Sequence, residues 1–187
     1  MRVIGGKCKG RRLAAVKGAS TRPTSDKVRE AVFDILPREF PFRSVLDLFA
    51  GTGAMGIEAL SRGAQDAAFV DMDAPAVQVI RKNLSACGLA GQGRVYRRDA
   101  RSALRSFARK GERFDLIFID PPYDSSLVEE TLKDIDRAGL LSLGGVVVAE
   151  TSKRTPVAAE LSSIGLVDER RYGDTLVYFY EVKDGPR

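Results

Sequence analysis

Four aspartates, Asp47, Asp71, Asp99 and Asp120, stand at or just beyond the ends of successive apolar, strand-like runs. A lone acid in such a place is commonly a helix cap or loop residue. Four in succession would line one edge of a sheet with carboxylates, able to accept hydrogen bonds from hydroxyls and amines and to hold a cation. The first lies in Val45-Leu-Asp-Leu-Phe-Ala-Gly-Thr-Gly-Ala-Met-Gly56, a strand running into a glycine turn that opens a helix. Glycines let a backbone approach a ligand closely, and free amides at a helix start favour polar or anionic groups. Gly51, Gly53 and Gly56 spell G-x-G-x-x-G, and Asp71 lies 20 residues beyond Gly51. Taken alone, that spacing fits a dinucleotide-binding oxidoreductase.

Two features redirect the reading to S-adenosylmethionine. Asp47 sits inside the strand, beside the turn, where a carboxylate can meet a cationic amino-acid end but would repel a pyrophosphate. Asp120-Pro-Pro-Tyr123 falls at the carboxyl end of the fourth strand, where open α/β sheets place reactive groups. Asp71 could then accept both ribose hydroxyls, and Asp99 the adenine amino group. With Phe49, Gly51, Thr52, Gly53, Met72 and Ala100 around them, Asp47, Asp71 and Asp99 form the candidate cofactor set. Asp73 and Asp115 read as structural, a helix cap and a strand-start charge.

The elements that must position these residues alternate. Strands are expected at Val45–Phe49, Ala67–Asp71, Gly93–Arg97, Phe114–Ile119, Gly145–Ala149, Leu166–Arg171 and Thr175–Glu181. Helical spacing over Thr24–Leu36 predicts a first helix, with Pro37 and Pro41 marking a join after it. Further helices are expected from the glycine turn to Arg62, from Asp73 to Cys87, and over Arg101–Lys110, Ser126–Ala138 and Pro156–Ser163. Ser126 and Glu129 suggest a capping box. Cys87 falls on an apolar helix stripe and is expected in the core. Only Tyr172-Gly-Asp174 separates the last two strands, so they should form an antiparallel hairpin. The alternation predicts an α/β fold, a mostly parallel sheet with helices on both faces.

The chain has 187 residues, enough for one domain with a small appendage. It contains no histidine, which excludes His-based triads, histidine metal sites and an imidazole base. Its two cysteines, Cys8 and Cys87, form neither a zinc cluster nor a disulfide framework, so a reducing cytoplasmic setting is expected, without membrane or metal. Nine Lys/Arg against two acids give residues 1–30 a charge of +7, and the remainder sums to −2. A basic segment on a near-neutral body suggests contact with nucleic acid through Lys7, Lys9, Arg11, Arg12, Arg22, Lys27 and Arg29; a solvated tail is the bland alternative. Val3-Ile4 and Leu13–Val16, around Gly/Lys/Arg turns, resemble a small hairpin.

The Asp-Pro-Pro-Tyr tetrad resembles the signature of methyltransferases that modify exocyclic amines of nucleobases, adenine N6 and guanine N2. Arg2-Val-Ile-Gly-Gly-Lys, Gly10-Arg-Arg-Leu, Thr21–Ala31 and Gly56–Ala64 resemble the RsmD family of bacterial 16S rRNA guanine-N2 methyltransferases, over essentially the whole chain. The resemblance implies a Rossmann-like class I S-adenosylmethionine-dependent fold over 41–187 with a basic RNA-binding extension over 1–40. It also implies a monomer acting on 16S rRNA or the small ribosomal subunit. Asp71 stands where the family commonly has Glu, a shorter arm for the ribose contact. Under this reading the Asp120 carboxylate and the Pro121 carbonyl accept hydrogen bonds from the target amine. Pro122 stiffens the loop, and Tyr123 offers a stacking face worth about 1–3 kcal/mol. An adenine-N6 methyltransferase is the alternative within the class. An oxidoreductase leaves the tetrad and basic segment unexplained, and a pure RNA binder has no use for carboxylates facing a polyanion.

Overall fold

A computed structural model gives the fold of residues 1–16, 26–37, 40–121 and 125–183. The order is α1 (Asp26–Ile35), β1 (Ser44–Leu48), α2 (Ala54–Arg62), β2 (Asp66–Asp71), α3 (Ala74–Ala86), β3 (Gly93–Arg97), α4 (Ala100–Arg109), β4 (Phe114–Ile119), α5 (Ser125–Ala138), β5 (Leu141–Ser152), β6 (Ile164–Tyr172) and β7 (Thr175–Val182). One seven-stranded sheet runs β3-β2-β1-β4-β5-β7-β6. Its first five strands are parallel, and β7 enters antiparallel between β5 and β6.

The central strands are apolar on both faces because both faces are covered, as a parallel sheet requires. On one side Val45, Phe69 and Leu116 pack with Val28, Val32 and Phe33 of α1, Ile57 and Leu60 of α2 and Ile80 of α3. On the other, Leu46, Ala68 and Ile117 meet Leu104 and Phe107 of α4 and Val128, Leu132 and Ile135 of α5. Val3, Cys8 and Leu13 belong to the first cluster, so the amino-terminal segment shares the core of the sheet. The Cys8 thiol donates to the Cys87 carbonyl at 3.3 Å, and Cys87 itself is partly buried against this core.

Three expectations change. Pro156–Ser163 is not a helix but an irregular connection. Side chains satisfy its amides instead: Val157 N–H donates to Tyr178 Oη, Ala158 N–H to Glu129 Oε1, and Ser162 and Ser163 N–H to Asp136. With Pro156 at its start and these acceptors on neighbouring elements, eight residues have no need of a helical ladder. The expected cap Ser126 lies inside α5, which begins at Ser125, and Glu129 is engaged with Ala158. The amino-terminal hairpin is reduced to one antiparallel bridge, Arg2 to Arg12, with a 3-10 turn over Gly6–Cys8 at its tip.

That turn seats directly on α2. The Ile4 and Gly5 amides donate to the two oxygens of Glu58 at 2.8 and 2.7 Å, and Cys8 N–H donates to Ser61 Oγ at 2.9 Å. A Cβ on Gly6, whose φ is +69°, would come within 1.9 Å of the Ser61 carbonyl oxygen. Only glycine permits both the conformation and the approach.

Candidate active site

The strands β2, β1 and β4 stop level with one another. Leu48 pairs with Val70 on one side and Ile119 on the other, so Asp71 and Asp120, one step further, flank Phe49. Asp47 lies one residue below, buried, with Oδ2 accepting from the Gly56 N–H at 2.9 Å. Burial pushes its carboxyl up from 3.8 to about 8; the Gly56 amide opposes the rise, and the charges of Asp120 and Asp71 add to it. A carboxyl in this state is poised to ionise when a cation arrives beside it.

The turn above Asp47 is held by its surroundings. Ala50 N–H donates to the Val70 carbonyl at 3.0 Å, and Gly51 N–H donates to Asp71 Oδ2 at 2.8 Å. Asp71 Oδ1 accepts from Asp73 N–H at 2.9 Å, so this carboxylate braces two loops and retains lone pairs for hydroxyl donors. Phe49 has φ +59°, an unfavourable conformation for a bulky residue that the surrounding turn imposes. The two outer glycines serve different ends. A Cβ on Gly51 would meet nothing nearer than Phe49 O at 4.0 Å, which leaves open space for a ligand, whereas one on Gly56 would lie 2.4 Å from the Phe69 ring. Gly56 therefore seats helix on sheet.

Asp99 is exposed and caps α4, its Oδ1 accepting from the Ser102 N–H at 2.9 Å. That hydrogen bond draws its carboxyl below the ordinary range. Ala100 begins α4, and Met72, beyond Asp71, is 73% exposed. Thr52 accepts through its carbonyl from Asn83 Nδ2 at 2.9 Å, and its hydroxyl lies 3.6 Å from Met1 Sδ. Pro121 is buried directly after Asp120, while Pro122 and Tyr123 lie outside the described residues.

The basic candidates divide. Lys7, Lys9, Arg11, Arg12 and Lys27 are exposed, and Lys7 Nζ donates to Gln92 Oε1 at 2.9 Å. Arg22 lies outside the described residues. Arg29 corrects the expectation of an RNA contact: it is 0% exposed, with Nη2 donating to the Arg2 carbonyl at 2.6 Å and to Asp26 at 3.0 Å, and Nε lies 4.0 Å from Glu58. It pins the amino-terminal segment from below and has no surface to offer a phosphate.

Sequence reasoning missed Glu58 and Asn83. Glu58 also accepts from Arg62 Nε at 2.8 Å. Asn83 is buried and clasps Ala14 through its N–H and carbonyl, at 2.8 and 3.1 Å, while donating to Thr52. A signal existed: both are polar residues on the apolar faces of their helices, next to Ile57 and Leu84, where a buried polar group must find a partner.

The site tests well against S-adenosylmethionine. A buried carboxyl awaiting a cation lies beneath a strained turn with open space at Gly51, and a second carboxylate ends the neighbouring strand. Among the described residues no group of His, Cys, Asp and Glu could hold a metal ion, and no helix is long and apolar enough to cross a membrane. The sheet order and this strand-end site define a class I methyltransferase fold. A solved structure titled "Putative methyltransferase yhhF from Escherichia coli" superposes with a TM-score of 0.84 at 31% identity, covering 98% of each chain.

The family model described as "Conserved hypothetical protein 95" matches residues 1–181, and the chain belongs to that family, the RsmD family. A Bacillus subtilis relative named "Putative rRNA methyltransferase YlbH" is 41% identical over 181 residues, 97% of this chain and 98% of its own. The Escherichia coli K12 protein "Ribosomal RNA small subunit methyltransferase D" is 34% identical over 97% of this chain and 89% of its own.

Proposed function

We propose that the protein transfers a methyl group from S-adenosylmethionine to the exocyclic N2 amine of a guanine in 16S rRNA, in small-subunit particles. The observation that carries the reading is the placement of Asp120-Pro121 beside the buried Asp47 and the glycine turn, in a chain whose relatives are named as rRNA methyltransferases. Bound cofactor would supply an electrophilic methyl on a sulfonium. Asp47 would hold its ammonium, Asp71 its ribose hydroxyls and Asp99 its adenine amine, with Phe49, Thr52, Met72 and Ala100 walling the cradle.

The chemical difficulty lies in the acceptor, because a guanine amino lone pair is delocalised into the ring. Hydrogen bonds from that NH₂ to the Asp120 carboxylate and Pro121 carbonyl favour a pyramidal, nucleophilic nitrogen. They strengthen as positive charge develops on it, which lowers the barrier. Asp120 need not be a strong base, since the alkylated ammonium is acidic. Pro122 limits the loop's freedom, and Tyr123 supplies the face on which an extruded base stacks.

The deciding experiment incubates labelled S-adenosylmethionine with the protein and small-subunit particles from a strain lacking the enzyme, followed by nucleoside analysis. Label in N2-methylguanosine is expected. Label in N6-methyladenosine would replace guanine by adenine as the target. Asp120→Ala should lower the single-turnover rate roughly 10²- to 10³-fold, as for loss of one transition-state hydrogen-bonding group, with cofactor affinity nearly intact. Asp71→Ala should weaken cofactor binding roughly ten- to hundredfold. Tyr123→Phe should be tolerated and Tyr123→Ala should not.

A further inference from the structure

An open groove of about 910 Å³ runs along α4 toward the end of α5, lined by Arg97, Arg98, Arg105, Arg109 and Arg137 together with Asp99. Arg101, Arg105 and Arg109 follow one another at four-residue steps, which on a helix makes a single ridge rising about 6 Å per step. The opposite face of α4 buries Ala103, Leu104 and Phe107 in the core. Arg101 is neutralised by Glu130 and Asp134 of α5, at 2.8 and 3.1 Å. Within the described residues the other five arginines form no ion pair, and all are exposed. Like charges at four-residue spacing destabilise a helix, so packing and helix stability do not account for the ridge. Solubility would be served as well by lysine or by mixed charge, whereas here every cation is a guanidinium, the group whose planar fork matches a phosphate.

The groove reaches the row of strand-end carboxylates at Asp99. Asp99 lines it and also caps α4, one strand over from Asp71. A strand of nucleic acid laid along the ridge therefore meets the edge of the sheet where the carboxylates stand. We infer that this arginine groove is a second RNA-binding surface, gripping the phosphate backbone of the substrate RNA alongside the exposed cations of the amino-terminal segment. The inference rests on the rRNA reading above for the identity of the polyanion, not for the existence of the surface.

The test measures binding of the full-length protein to purified small-subunit particles at several salt concentrations. It compares wild type, Arg105→Ala/Arg109→Ala, and a control with the same loss of charge outside the groove, Arg43→Ala/Lys183→Ala. Each phosphate contact contributes roughly 0.7–0.9 to the slope of log affinity against log salt, so the groove variant should lose about 1.4–1.8 from it. The control should keep the wild-type slope, and S-adenosylmethionine affinity should be the same in all three. An unchanged slope in the groove variant, or an equal loss in the control, overturns the proposal. The methylated nucleoside is read separately: an unexpected product would overturn the proposed reaction while leaving the slope to decide the groove.

Discussion

Residues 1–30 and the α4 groove are both crowded with cations, yet the fold treats them in opposite ways. In the amino-terminal segment, part of the charge is enclosed. Arg29 is buried beneath Arg2, and Glu58 gathers two backbone amides and Arg62 into one cluster. On α4, only Arg101 is tied down, to Glu130 and Asp134, and the rest of the ridge stands in water. The difference follows from what lies opposite. The amino-terminal segment sits on α2, which presents an acid and a serine from its inner face, whereas on the outer face of α4 the ion pairs among the described residues are those of Arg101 with two α5 carboxylates. Net charge alone is thus a poor guide to where a polyanion binds; it is the cations without internal partners that are available.

Breaking the enclosed cluster should have the largest effect. Glu58→Ala leaves the Ile4 and Gly5 amides without acceptors and removes the buried carboxylate that faces Arg29, whose remaining partner is the half-exposed Asp26, and should cost about 3–5 kcal/mol in urea denaturation. Arg29→Met should cost less, because two of the three guanidinium nitrogens, Nε and Nη1, are buried without hydrogen-bond partners and Glu58 keeps Arg62 and the two backbone amides, so the loss is the Nη2 bonds to Arg2 and Asp26 and the longer contact with Glu58. If both variants prove equally damaging, the guanidinium holds the cluster together as much as the carboxylate does.

Asp47 extends the contrast to acids. Its folded-state carboxyl is raised from 3.8 to about 8, so the folded protein keeps a proton that the unfolded chain releases. Stability from this group is present below about pH 4 and falls as pH rises toward 8. Asp47→Asn should therefore gain in melting temperature relative to wild type between pH 5 and 8, while losing cofactor affinity. A difference that stays constant with pH would rule out a protonated Asp47.

Asn83→Ala should cost about 1–3 kcal/mol by leaving the Ala14 and Thr52 backbone groups unpaired. Because Asn83 joins the amino-terminal segment to the glycine turn at Thr52, under the proposed function the change should also raise the dissociation constant for S-adenosylmethionine, checked by calorimetry. The smallest effect on stability belongs to the open region: Arg105→Ala/Arg109→Ala should stay within about 0.5 kcal/mol of wild type for each change. A large loss of stability there would mean the ridge is structural after all.

Local pattern was sufficient for the alternating elements, because strand and helix periodicity and glycine stops act within a few residues. Gly93–Arg97 and Phe114–Ile119 form over the expected bounds, and the hairpin after Tyr172 folds back as expected. The glycine turn and the four carboxylates were legible for the same reason: strand ends of a parallel sheet fall on one edge whatever the helices do. What a sequence cannot carry is which distant group answers a charge or an amide. Asp136 and Glu129 replace the helix expected at Pro156–Ser163, and Glu58, more than fifty residues away, fixes the segment around Gly5. Burial likewise sets Asp47 apart from Asp99, two aspartates of the same row, one raised to about 8 and the other held below the ordinary range. Residue type and spacing decided where the carboxylates and arginines fall along the chain. Desolvation and long-range partners, which exist only once the sheet has closed, decided which of them are still charged and free to bind.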